Sequence, residues 1–103
     1  MAYSKYRAKA VVVDGIRFAS QKEAKRYGEL KLLQMAGKIS GLKMQERHSI
    51  DINGVHICDY LSDFSYTENG ERTVEDVKGV KTDVYRIKRL LVWACLGIEI
   101  VEV

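Results

Sequence analysis

Three charged residues have the types and spacing to do chemistry together: Asp63, Asp76 and Lys78. Residues 59–66 (DYLSDFSY) and 73–79 (TVEDVKG) alternate and carry β-branched and aromatic side chains, so each reads as a strand. Between them stands Asn69-Gly70, a two-residue hairpin signal, because both central positions of a type I′ turn need φ > 0. If Glu68 faces Glu71, the register sets Asp63 opposite Asp76. Lys78, two residues on, then shares the face of Asp76. Opposed carboxylates at roughly 5 Å and an effective dielectric of about 20 repel by about 3 kcal/mol. Lys78 offsets part of that, and a divalent cation reverses it, since hard cations prefer carboxylate oxygen. The plain alternative is a solvated charged face. A bulge at Gly70 would put Asp76 out of line.

The flanking chain supplies elements to hold this hairpin. Val11–Val13, Asp14-Gly15 and Ile16–Phe18 form a second hairpin signal. Ser20 with Glu23 three residues on is a capping box, opening a helix to about Ala36. Ala24, Tyr27, Leu30 and Leu33 make its buried stripe, and Gly37 its stop. Lys22, Lys25, Arg26 and Lys31 lie off the stripe and are expected to be solvated. Residues 42–52 alternate, and Asn53-Gly54 marks another tight turn, pairing Ile52 with Val55 and His48 with Asp59. Strands at about 42–52, 55–66 and 73–79 thus form an antiparallel meander. His48 is then either an ion-paired surface histidine or a member of the acidic face. Thr82 caps a second helix to about Leu96, with Val84, Ile87, Leu91 and Ala94 as its stripe. Gly97 ends it, and Ile98–Val103 is a last strand, expected parallel through a right-handed crossover.

The 103 residues suit one domain with one core. A 47% apolar, 30% charged composition is that of an ordinary globule. No window reaches 18 uncharged apolar residues, which excludes a helical membrane span, and Val11–Val13 is too short for a signal h-region. A cytoplasmic location follows by default, in a host cell if the chain is phage-encoded. Cys58 and Cys95 have no metal-binding spacing and are expected to be small core residues. The charge of +3 permits a polyanionic partner without demanding one. Residues 1–9, with Lys5, Arg7 and Lys9, read as a flexible basic arm, either solvated or touching phosphate.

Helix, three-stranded meander, helix and strand, with an acid on the second core strand and Asp-x-Lys on the third, resembles the PD-(D/E)xK nuclease superfamily. Asp63 corresponds to the first acid, Asp76-Val77-Lys78 to the second motif, and Glu23 to the glutamate many members carry on the first core helix. More narrowly, the chain resembles an uncharacterised family of small phage nuclease-like proteins within that superfamily. The matching stretches are residues 14–20, 23–27, Gln45, 60–64, 75–79 and Lys88-Arg89. Two positions depart from the patterns: Ser62 and Glu46 stand where prolines are usual. Glu75 lies on the other face from Lys78, as a charge at a strand edge.

The resemblance implies a restriction-endonuclease-like α/β fold (a mixed α+β sheet) and Mg²⁺-dependent hydrolysis of DNA phosphodiesters, with Mn²⁺ as substitute. Asp63, Asp76 and the Val77 carbonyl would hold the metal, with Glu23 either completing the site or serving only as capping-box acceptor. Lys78 would hold the attacking water or neutralise charge on the phosphate oxygens. Gln45, Lys81, Lys88 and Arg89 are the candidate DNA contacts, Lys88 evenly balanced against a solvated lysine. With no obvious base reader, structure-selective or weakly specific cutting is expected rather than a fixed recognition sequence, with branched or junction DNA as one such substrate, in phage recombination or processing. A homodimer is implied only by the need for two cuts. The alternatives are a non-catalytic DNA-binding or packaging accessory protein on the same fold, or an interaction domain whose acids are merely solvated.

Overall fold

The computed structural model describes residues 9–103. The arm expected over residues 1–9 therefore lies, Lys9 apart, outside the described residues. The fold is mixed α+β. Its elements are β1 (Val11–Val13), β2 (Ile16–Phe18), α1 (Gln21–Met35), β3 (Ser40–Met44), β4 (Arg47–Ile52), β5 (Val55–Leu61), β6 (Phe64–Glu68), β7 (Glu71–Asp76), α2 (Asp83–Leu96) and β8 (Ile100–Glu102).

Local chemistry explains most of these boundaries. The three tight hairpins turn on Asp14-Gly15, Asn53-Gly54 and Asn69-Gly70, and all six residues have positive φ. That backbone twist matches the twist of the flanking strands. Ser20 Oγ accepts from the Glu23 amide at 3.1 Å, and Thr82 Oγ1 from the Tyr85 amide at 3.1 Å, so each helix starts on a satisfied cap. Gly37 and Gly97 follow the helices at φ 76° and 69°.

β3, β6, β7 and β8 form one four-stranded sheet in that order, with β7 and β8 parallel and the other pairs antiparallel. Two apolar clusters hold it. Phe18, Ala24, Tyr27, Leu30, Ile39, Phe64 and Tyr66 join α1 and the β1–β2 hairpin to the sheet. Ile50, Tyr60, Val74, Tyr85, Val92 and Ile100 join α2 and the β4–β5 ribbon to it. Successive residues of β7 alternate, so Val74 enters the α2 cluster while Glu75 meets Arg26 of α1.

Several expectations are corrected. The first two meander strands are each broken, because Gln45 adopts φ 53° and Ser62-Asp63 leave extended pairing at the same level. The corner stays tied: the Gln45 amide donates to the Asp63 carbonyl at 3.1 Å, and the Ser62 amide to the Glu46 carbonyl at 3.0 Å. The outer halves therefore leave the main sheet as the β4–β5 ribbon. Within that ribbon the register slips between Ile50 and Asp51, so His48 pairs with Tyr60, not Asp59. β7 ends at Asp76 rather than Gly79, and β8 spans Ile100–Glu102.

Further corrections concern burial. Leu33 is exposed, so the α1 stripe ends a turn early. On α2 the buried residues are Tyr85 and Val92, whereas Val84 and Ile87 are exposed. Cys95 is exposed, and both cysteines are free. Glu75 is buried at 1% exposure, held by Arg26 through two hydrogen bonds of 2.8 and 2.6 Å and by the Tyr66 hydroxyl. Arg26 is thus an inward partner, since a carboxylate buried this deeply needs a fixed cation. Among the described residues no helix is long and apolar enough to cross a membrane.

Candidate functional site

The Asn69-Gly70 turn pairs Glu68 with Glu71, and the register runs without slip to Phe64 and Glu75. One step further, Asp63 lies level with Asp76. Asp63 is already in the bend, and that frees its side chain to reach the end of β7. Its Oδ2 accepts from the Val77 amide at 2.7 Å, and its carboxyl faces that of Asp76, which helps to push it up. Lys78 lies beyond the strand, but its Nζ stands 3.1 Å from Asp76 Oδ1. The C-terminal strand secures this stretch: the Lys78 amide donates to the Val103 carbonyl at 3.2 Å, and the Val103 amide to the Asp76 carbonyl at 3.0 Å.

Glu23 enters from the first turn of α1. It is 8% exposed, and its carboxylate feels the Ala19 backbone, the neighbouring Asp63 and the charges of Asp76 and Lys78. Its own amide, meanwhile, donates to the Ser20 cap. The capping position is thus what aims Glu23 at the hairpin. Lys22 adds a clamp, donating to the Lys78 carbonyl at 2.8 Å.

The electrostatics follow from crowding acids in a half-closed site. Burial raises the Asp63 carboxyl from 3.8 to about 8, with Asp76 adding to the effect. Burial also raises Glu23, opposed by the Ala19 backbone. The cluster therefore favours an extra positive charge, as a proton or as a cation.

Two tyrosines to which the sequence assigned no role complete the surroundings. Tyr60, 4% exposed on the ribbon, donates its hydroxyl hydrogen to Asp76 Oδ2. Burial and that carboxylate both push the phenol well above its ordinary range. Tyr85, on α2, places its ring under Lys78, with Nζ 3.9 Å from the centroid, and donates to Glu102 at 2.7 Å. Glu102, the parallel partner of Asp76, also receives Lys81 at 2.9 Å and Arg89 at 3.4 Å. The sequence signal for both tyrosines was thin: a buried phenol needs a hydrogen-bond partner. His48 stays at the margin, 3.3 Å from Ser62 Oγ with its ring against Tyr60.

The remaining candidates are dispersed. Gln45 is exposed at the bend. Lys81 and Arg89 are drawn to Glu102, and Lys88 donates to the Asp59 carbonyl at 2.9 Å. Lys88 nevertheless borders a groove of ≈ 370 Å³ with Arg47, Tyr60, Thr82 and Tyr85. That groove runs beside the acidic cluster, because Tyr60 and Tyr85 line it and also touch Asp76 and Lys78.

The donor set is of hard oxygens. Among the described residues no three His, Cys, Asp or Glu side chains stand in a metal-ligating arrangement. The Asp63–Asp76 pair fits Mg²⁺ better than a heavily ligated metal, since Mg²⁺ takes one or two carboxylates and keeps several waters.

Fold and site together define a small mixed α+β protein with a buried acid, a half-buried acid and an amine at one end of its sheet. The chain belongs to the family described as "Protein of unknown function (DUF1064)", whose model matches residues 3–94. No curated protein matches the chain, and no solved structure matches it.

Proposed function

We propose that the chain is a Mg²⁺-dependent endodeoxyribonuclease of the PD-(D/E)xK type. Its restriction-endonuclease-like core would comprise α1, β3, β6, β7, α2 and β8. The observation that carries this reading is the convergence of Asp63, Asp76, Lys78 and Glu23 from a bend, a strand, a loop and a helix. A solvated charged face gives no reason to bury Asp76 to 2% exposure beside a second carboxyl raised to about 8.

In this reading Asp63, Asp76 and the Val77 carbonyl would hold the metal, with Glu23 completing the site directly or through a water. Bound there, Mg²⁺ supplies Lewis-acid polarisation of the phosphate and a more acidic water. Lys78, fixed between Asp76 and the Tyr85 ring, presents an ammonium to the water or to the phosphate oxygens as charge grows on them. Tyr60 keeps one Asp76 oxygen oriented. Glu23 would add its carboxylate to the site from the first turn of α1. Arg47, paired with Asp59 at 3.2 Å, and Lys88 border the adjoining groove and would give a polyanionic backbone two cations to meet, and the described residues that line it offer no obvious base reader. Selection by DNA shape, as at branches and junctions, is therefore the preferred specificity. Phage DNA recombination or processing is the setting the resemblance suggests.

The test is incubation of the full chain with supercoiled, linear, single-stranded and four-way-junction DNA, in Mg²⁺, Mn²⁺ or EDTA. Cleavage with either metal that disappears in EDTA and in Asp76→Ala is expected. Binding without cutting under every condition would instead support the accessory-protein reading.

A further inference from the structure

We propose that the groove between the β4–β5 ribbon and α2 holds one unpaired strand of DNA beside the scissile phosphate, so that the preferred substrate is DNA whose strands part at the cut. This inference rests on the nuclease reading and names the form of DNA which that reading leaves open.

The ribbon supplies one side of the groove through Arg47 and Leu61, and the first turns of α2 supply the other through Val84 and Lys88. Tyr60 and Tyr85 line it as well, and their further contacts are Asp76 and Lys78. A strand in the groove therefore lies one tyrosine side chain away from the acids and their amine.

The apolar walls select a single strand. Leu61 and Val84 are 53% and 62% exposed, and neither belongs to an apolar cluster of the fold. A duplex keeps its bases stacked inside and turns charged phosphates outward, so it offers such side chains nothing to bury against. An unpaired strand presents base and sugar faces beside its phosphates, and those cover apolar surface. The groove's ≈ 370 Å³ is at the small end of ligand-sized clefts, with room for about one nucleotide and none for a double helix.

The charges agree. Lys88 Nζ bonds the Asp59 carbonyl at 2.9 Å and, among the described residues, pairs with no carboxylate, so its charge is open to an anion. Arg47 shares the Asp59 carboxylate at 3.2 Å, and His56 stands 3.4 Å from the other oxygen of that group. Arg47 and Lys88 against Asp59 leave the lining at +1. That matches a single phosphate passing between the walls, whereas a surface that holds a duplex by its backbone alone needs a row of cations.

Fluorescence anisotropy of the full chain at low salt in EDTA tests this without relying on cleavage. The probes are a labelled splayed-arm DNA and a blunt duplex of matched length. The splayed arm is expected to bind about tenfold more tightly. Leu61→Ser with Val84→Ser keeps the charge and alters exposed positions, so circular dichroism should stay unchanged while most of that preference disappears. Lys88→Ala should flatten the log–log salt dependence of splayed-arm binding by about 0.7, the share of one phosphate on a single strand. Equal affinity for the two probes, a preference that survives the double substitution, or an unchanged salt slope in Lys88→Ala would each overturn the proposal. Mg²⁺-dependent cutting of blunt and splayed DNA at equal rates would also overturn it, with the nuclease reading left standing. A splayed-arm preference without cutting in Mg²⁺ or Mn²⁺ would support the groove and count against that reading.

Discussion

The Tyr60 hydroxyl donates to Asp76 Oδ2 although the two residues belong to different sheets. The link depends on the β4–β5 ribbon folding back at Ser62-Asp63, which carries Tyr60 over the end of β7. It ties the geometry of the acidic pair to the ribbon, and with it to the groove that Tyr60, Arg47 and Lys88 share.

Tyr60→Phe keeps the ring but leaves a buried carboxylate oxygen short of its donor. The expected cost is about 1–3 kcal/mol of stability in EDTA, read by urea unfolding. Added Mg²⁺ should recover part of it, because a bound cation supplies the missing partner. An unchanged midpoint in EDTA would mean that the hydroxyl does not hold Asp76.

The Asp63 carboxyl, raised from 3.8 to about 8, prefers its proton in the folded chain. Its stabilising contribution is complete below the lower value and is lost as pH rises toward the upper one. Wild-type protein in EDTA should therefore lose thermal stability relative to Asp63→Asn between about pH 4 and pH 8. Mg²⁺ should reverse the loss at the alkaline end by binding only the folded state. Parallel melting curves for the two proteins across this range would contradict the assignment.

Lys78→Ala should leave DNA binding nearly intact and lower the cleavage rate by about 10²–10³-fold, the usual effect of removing one preorganised charge donor. Tyr85→Leu, which removes the ring beneath the ammonium, should lower the rate by a smaller factor with KM unchanged. Tyr85→Phe keeps the ring and should cleave at close to the wild-type rate. In both Tyr85 variants the Glu102 hydrogen bond is lost, so a rate that falls equally in the two would assign the effect to that bond instead.

Arg26→Met strands Glu75, which is 1% exposed, with only the Tyr66 hydroxyl for company. Breaking one side of such a pair costs about 3–5 kcal/mol. Guanidinium unfolding should show this, whereas Arg26→Met with Glu75→Gln together should cost less than Arg26→Met alone. Additive losses would argue against a coupled pair.

Much of this chain was legible in its residue order. Asn69-Gly70 determined the hairpin and thereby the Asp63–Asp76 alignment, because a two-residue turn admits one register. Ser20, Thr82, Gly37 and Gly97 set the helix ends through local hydrogen bonds and φ alone. Tertiary structure decided the rest. The left-handed Gln45 and the Ser62-Asp63 break split the meander, and no local pattern announced either. Of the expected α2 stripe Leu91 does pack on the core, but Val84, Ile87 and Ala94 face out and Tyr85 and Val92 face in, since periodicity gives a helix an apolar stripe without saying what stands ready to receive it. Arg26 and Glu75, 49 residues apart, meet only once α1 lies on the sheet. Turns and caps depend on neighbours in sequence, which the chain states outright. The partners of a buried charge or phenol come from distant segments, and only packing brings those together.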